Sequence, residues 1–75
     1  MKVTYAIAHT GSNNFYATGI KTMLGAKRLA KQGIQQSFNG RLEVYVELHH
    51  TGELQDIQRE MVSVLHGYNK KWTDK

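Results

Sequence analysis

Histidine, serine and carboxylate side chains could do chemistry in this sequence, and their spacing supports little of it. The four histidines are His9, His49, His50 and His66. His49 and His50 are adjacent on an alternating segment, so they point to opposite faces and cannot both ligate one ion from it. A three-ligand metal site would need His9, one of that pair and His66 to converge, with no acid at ligand spacing. Surface histidines at strand ends are the simpler reading, and no metal is expected. Ser12, Ser37 and Ser63 could each be set beside a histidine, but none sits in a G-x-S-x-G elbow. Glu43 and Glu47 share one strand face; paired acids are conceivable there, and solvated alternation is the plainer expectation. "HTGSNN" (His9 to Asn14) follows a strand and contains glycine and serine, yet lacks the glycine–lysine spacing of a phosphate-binding loop. No enzyme, no catalytic residue and no cofactor is expected.

Binding chemistry is better represented. "MLGAKRLAKQ" (Met23 to Gln32) sets Lys27, Arg28 and Lys31 among small apolar residues. At about 100° per residue, Met23, Ala26, Leu29, Ala30, Gly33 and Ile34 share one helical face, and Lys27, Arg28, Lys31, Gln32 and Gln35 share the other. Ammonium, guanidinium and amide donors on one exposed surface suit phosphate oxygens or clustered carboxylates. The competing reading is a face that merely meets water, as any helix on a one-layer domain must have. Aromatic support is thin. Tyr45 is a candidate partner-binding residue, and Trp72 reads as a core plug closing a small sheet.

The elements that must position these residues follow from periodicity. Lys2 to Ala8 alternates as a half-buried strand, with Val3, Tyr5 and Ile7 on one side. "FYATGIK" is either a hairpin return or an extended loop. Thr22 fits a helix N-cap, and Gly25 weakens the first turn by up to ~1 kcal/mol relative to alanine. After the Asn39-Gly40 turn, Arg41 to His49 alternates again, with Leu42, Val44, Val46 and Leu48 inward and Glu43, Tyr45, Glu47 and His49 outward. The last third is ambiguous. Leu54, Ile57, Met61, Val64, Leu65 and Tyr68 recur at helical spacing with Gly67 as a C-cap, predicting a second helix at 53–66. "MVSVLH" also reads as a strand and "KKWT" as a short edge strand around a "GYN" turn, although periodicity taken alone favours the helix. The residues alone thus leave β-α-β-β-β and β-α-β-α both open.

The 75 residues make a single domain, 1–75, near the lower limit for a self-sufficient core. No cysteine is present, which excludes disulfides and thiolate metal sites. No run of about 18 apolar residues exists to span a membrane, and "MKVTYAIAHTG" lacks a signal peptide's continuous apolar region. Charge is segregated beyond the net +4: Lys2, Lys21, Lys27, Arg28, Lys31 and Arg41 precede the first carboxylate, Glu43. Such segregation attracts polyanions or acidic protein surfaces.

Several stretches resemble a known family. "MKVTYAI" at the start, "AKRLA" at Ala26 to Ala30, the Phe38–Gly40 "FNG" and "MV…W" from Met61 to Trp72 are similar to the small phage-encoded anti-CRISPR proteins that inhibit type I-F surveillance complexes, in the ninth family of that series. The resemblance implies an α+β fold, a small antiparallel sheet of three to four strands packed on one helix, with the last third as strands. A monomer in the cytoplasm of the infected bacterial host is expected. The family binds backbone subunits of the crRNA-guided complex, in the channel where target DNA would pair. Lys27 and Arg28 match its contacting pair, and Gln32 stands where the family has a further lysine, with Lys31 beside it. The expected function is therefore an inhibitor of a type I CRISPR effector that blocks DNA binding, with direct or indirect nucleic-acid contact. The alternative is a small basic phage protein that binds nucleic acid itself.

Overall fold

A computed structural model describes residues 2–11, 14–34, 40–67, 69 and 71–74. Strand β1 (Lys2–His9) is followed by β2 (Ala17–Ile20), helix α1 (Met23–Ile34), β3 (Arg41–His49), a short 3-10 turn (Leu54–Asp56), β4 (Ile57–His66) and β5 (Lys71–Asp74). The strands form one antiparallel sheet in the order β2-β1-β3-β4-β5. This is the expected α+β class with one helix, but the strand count is five rather than three to four, and the order is β-β-α-β-β-β. The extra strand is β2: "ATGI" takes the hairpin-return reading and covers the outer edge of β1.

Strands β1 and β3 pair without irregularity from Lys2↔His49 to His9↔Leu42. Residues opposite one another share a face, so Tyr5, Ile7, Leu42 and Val44 look one way and Thr4, Ala6, Tyr45 and Glu47 the other. On the first face Ile7, Leu42, Val44 and Leu65 pack against Ala26 and Ala30 of α1, all without exposed surface. Met23, Leu29, Val62 and Trp72 flank this core, placing Trp72 where a plug was expected. Thr22 caps α1 as its sequence predicts, its hydroxyl accepting from the Gly25 amide at 3.0 Å. Gly33 lets the helix end approach the sheet: a Cβ there would stand 3.1 Å from Leu42 Cδ1. Among the described residues no helix is long and apolar enough to cross a membrane.

The expectation of a second helix at 53–66, and with it the β-α-β-α alternative, is overturned, since Ile57–His66 is strand β4. A β-bulge explains why that segment imitates a helix. Val44 pairs with Ser63 but Tyr45 pairs with Met61, so β4 carries one extra residue, Val62. The inserted residue inverts the alternation. Ile57, Arg59 and Met61 share the face opposite α1 with Val64, while Ser63 and Leu65 face α1. Ile57, Met61 and Val64 are therefore spaced four and three apart on one strand face, the spacing of one helical face. Gly67 ends the strand, its amide donating to the Gly40 carbonyl at 2.8 Å, and caps no helix.

Candidate functional site

The cations of the helix stripe do not form one uniform group. Arg28, Lys31 and Gln32 are exposed on α1, and neither cation has a carboxylate within ion-pair distance among the described residues. Lys27 is different because it lies at the flank of the apolar stripe, about 100° from Ala26. There its ammonium sits 4.8 Å from the Trp72 ring centroid and 3.6 Å from Asp74 Oδ1. Its side chain is 30% exposed. A cation over an indole at a partly exposed site is worth about 0.5–1 kcal/mol. Asp74 is anchored from below: the buried Ser63 hydroxyl donates to Asp74 Oδ1 at 2.7 Å. That hydrogen bond first, and the Lys27 charge second, hold the Asp74 carboxyl below its ordinary pKa. The last strand thus contributes Trp72 and Asp74 to the margin of the helix face. Gln35, the remaining helix candidate, lies outside the described residues.

Tyr45 is not brought to the helix stripe. It stands on the opposite face of the sheet, donating to Glu43 Oε1 at 2.9 Å. Burial, and then that carboxylate, push the Tyr45 phenol above its ordinary pKa, so the hydroxyl stays a donor. Its ring meets Phe15 edge-on at 5.5 Å between centroids.

The face carrying Tyr45 is organised around Glu47, which is 1% exposed and so is not the solvated carboxylate its alternation suggests. The Thr4 hydroxyl donates to Glu47 Oε1 at 2.8 Å and the Gly19 amide to the same oxygen at 2.9 Å. Arg59 donates Nε and Nη2 to Glu47 Oε2, both at 2.8 Å. Burial alone would raise the pKa of this carboxyl, but the Gly19, Thr4 and Arg59 donors outweigh it and hold the pKa below the ordinary glutamate value. Gly19 has φ 68°, a conformation glycine adopts without strain, and this aims its amide at the carboxylate. Thr4 has one hydroxyl proton, committed to Glu47, so His49 Nε2, 2.6 Å from Thr4 Oγ1, carries a hydrogen and donates it to that hydroxyl oxygen. The Phe15 ring lies over the Arg59 guanidinium at 4.6 Å.

The histidines do not converge on a metal. His9 and His49 stand at opposite ends of the β1–β3 ladder, roughly 20 Å apart by strand rise. No cluster of three or more His, Asp or Glu with ligand geometry occurs among the described residues. Glu43 and Glu47 also part ways, one bound to Tyr45 and the other to Arg59.

Spacing leaves Asp74, Phe15 and Arg59 out of every motif, although each partners a residue that a motif singles out. The one local signal is compositional: Asp74 is the single acid among Lys70, Lys71 and Lys75. No protein-family model, curated protein or solved structure matches the chain.

Proposed function

We propose that this chain is a non-catalytic inhibitor that docks the exposed face of α1 on the backbone subunits of a type I CRISPR surveillance complex and so keeps target DNA out. The observation that carries this reading is the joint exposure of Arg28, Lys31 and Gln32 on one helix face, without a carboxylate partner among the described residues. The similarity of "AKRLA" and its flanking stretches to type I-F inhibitors supplies the partner. The helix offers a guanidinium, an ammonium and an amide, donors that fit carboxylates of the subunits or phosphates of the guide RNA within the channel. The helix presenting that face is seated on the five-stranded sheet through the fully buried Ala26 and Ala30, an arrangement that limits the ordering cost of docking. Inhibition takes place in the cytoplasm of the infected host and needs no cofactor.

Charge reversal at Arg28→Glu/Lys31→Glu, both exposed and away from the core, tests the reading. Binding to a purified type I complex is expected to weaken at least tenfold with the thermal transition unchanged. Unaltered binding overturns the helix-face assignment. A second reading rests on the same exposed cations, which fit phosphates of free nucleic acid equally well. That reading requires the isolated chain to bind duplex DNA, with affinity falling by about 0.9 log units per log salt for each phosphate neutralised.

A further inference from the structure

We propose that Asp74 is a specificity-determining residue of the α1 face: it holds Lys27 against Trp72, so that Lys27 is released only to a partner whose anionic group reaches the seam between α1 and β5. The proposal rests on the reading that this face binds an anionic partner, and it adds the last strand to the site. Three observations carry it. The Lys27 ammonium is 3.6 Å from Asp74 Oδ1 and 4.8 Å from the Trp72 centroid, so its charge already has an intramolecular counterpart. Asp74 is itself held at 2.7 Å by the fully buried Ser63 hydroxyl, which keeps the carboxylate at the seam instead of leaving it free to swing away. Arg28 and Lys31, one and four positions further along the helix, have no such counterpart among the described residues.

The consequence is competitive. A diffuse polyanion meets Arg28 and Lys31 at once but must displace Asp74 to gain Lys27, and it recovers only a replacement for the contact it breaks. A partner shaped to the seam can approach Lys27 from its exposed side and keep the indole beneath it. Asp74 thereby lowers affinity for generic polyanions more than affinity for the fitting partner, which is discrimination by a built-in competitor.

The test compares Asp74→Asn with Asp56→Asn. Both remove one negative charge, and Asp56 sits far along the chain on the 3-10 turn, bonded to Thr51. Each variant is made in the wild-type and Lys27→Met backgrounds and titrated with a short DNA duplex at low salt and with a purified type I surveillance complex. The expected result is a gain in duplex affinity of about two- to fivefold for Asp74→Asn beyond that for Asp56→Asn, a gain that Lys27→Met abolishes. Affinity for the complex should rise less than affinity for the duplex. Trp72 is the single tryptophan, so its emission reports the seam directly. Saturation with the complex should shift that emission in the wild type and leave it unmoved in Lys27→Met. Equal duplex gains for the two asparagine variants, a gain that persists without Lys27, or no duplex binding by Asp74→Asn overturns the proposal. A wild-type chain that ignores the complex overturns the proposed function, and the duplex comparison still decides the role of Asp74.

Discussion

On the helix side of the sheet, Ile7, Leu42, Val44 and Leu65 are packed out of water against Ala26 and Ala30; on the other side, a carboxylate, Glu47, is buried almost as completely. The first face gains its stability from apolar area, about 1.5–3 kcal/mol for each large side chain removed from water. The second gains little net energy from its ion pair, because withdrawing the Glu47 charge from water consumes most of its attraction to the part-exposed Arg59. Its contribution is geometric. Glu47 ties β1 through Thr4, β2 through Gly19 and β4 through Arg59 to one point on β3, and Phe15 brings the loop before β2 down over Arg59. A domain with one helix can cover one face of its sheet. The other must bury its centre with side chains from its own strands, and a satisfied charge does so while fixing which strands lie where.

The largest expected effect lies on the apolar face. Leu65→Ala removes a fully buried side chain from beneath α1 and should cost about 2–5 kcal/mol, read as a drop in the urea midpoint with little change in slope. A cost under 1 kcal/mol would mean that the helix is not what holds the sheet together.

Glu47→Gln is next, expected at about 1–3 kcal/mol, because it removes the anion that Arg59 and the Gly19 amide are built to meet. It should also change the response to acid. The folded carboxyl is more acidic than an unfolded glutamate, whose pKa is about 4.3, so its contribution is complete above that value and is lost as the pH falls through the folded one. Urea midpoints at neutral and strongly acidic pH should therefore differ more in the wild type than in Glu47→Gln. Equal acid sensitivity would show that the network carries no linkage.

The smallest effect is expected at Phe15→Ala, about 1 kcal/mol, since the ring is 37% exposed and contributes one edge contact to Tyr45 and one stack on Arg59. Its sharper signature is hydrogen exchange. The Gly19 amide should exchange faster once the loop no longer covers Arg59, while amides in the β1–β3 ladder stay protected. Uniform acceleration would merge the two faces into one cooperative unit.

Strands β1 and β3 and helix α1 are legible because each keeps one unbroken period: alternation across Val3, Tyr5 and Ile7 and across Leu42, Val44 and Val46, and a three-four repeat through Ala26, Ala30 and Gly33. β2 and β4 are ambiguous in the sequence, and both contain a register irregularity. Ala17 and Ile20 are three apart yet both face the helix-side core, and Val62 interrupts β4 so that its outer apolar residues fall at helical spacing. Local period cannot reveal a bulge, since the inserted residue is recognised only against the strand it pairs with.

The same division applies to the candidate site. The order of residue types along α1 is enough to place Arg28, Lys31 and Gln32 on a face turned from the core, because helical geometry leaves them nowhere else to point. It is also enough to leave the first carboxylate as late as Glu43. What it leaves undetermined is which charges remain available. Pairing depends on contacts between residues distant in sequence: β5 returns beside β4 and delivers Asp74 to Lys27, and β4 delivers Arg59 to Glu47. Spacing along a chain settles which way a side chain points, and the folded sheet settles what it meets there.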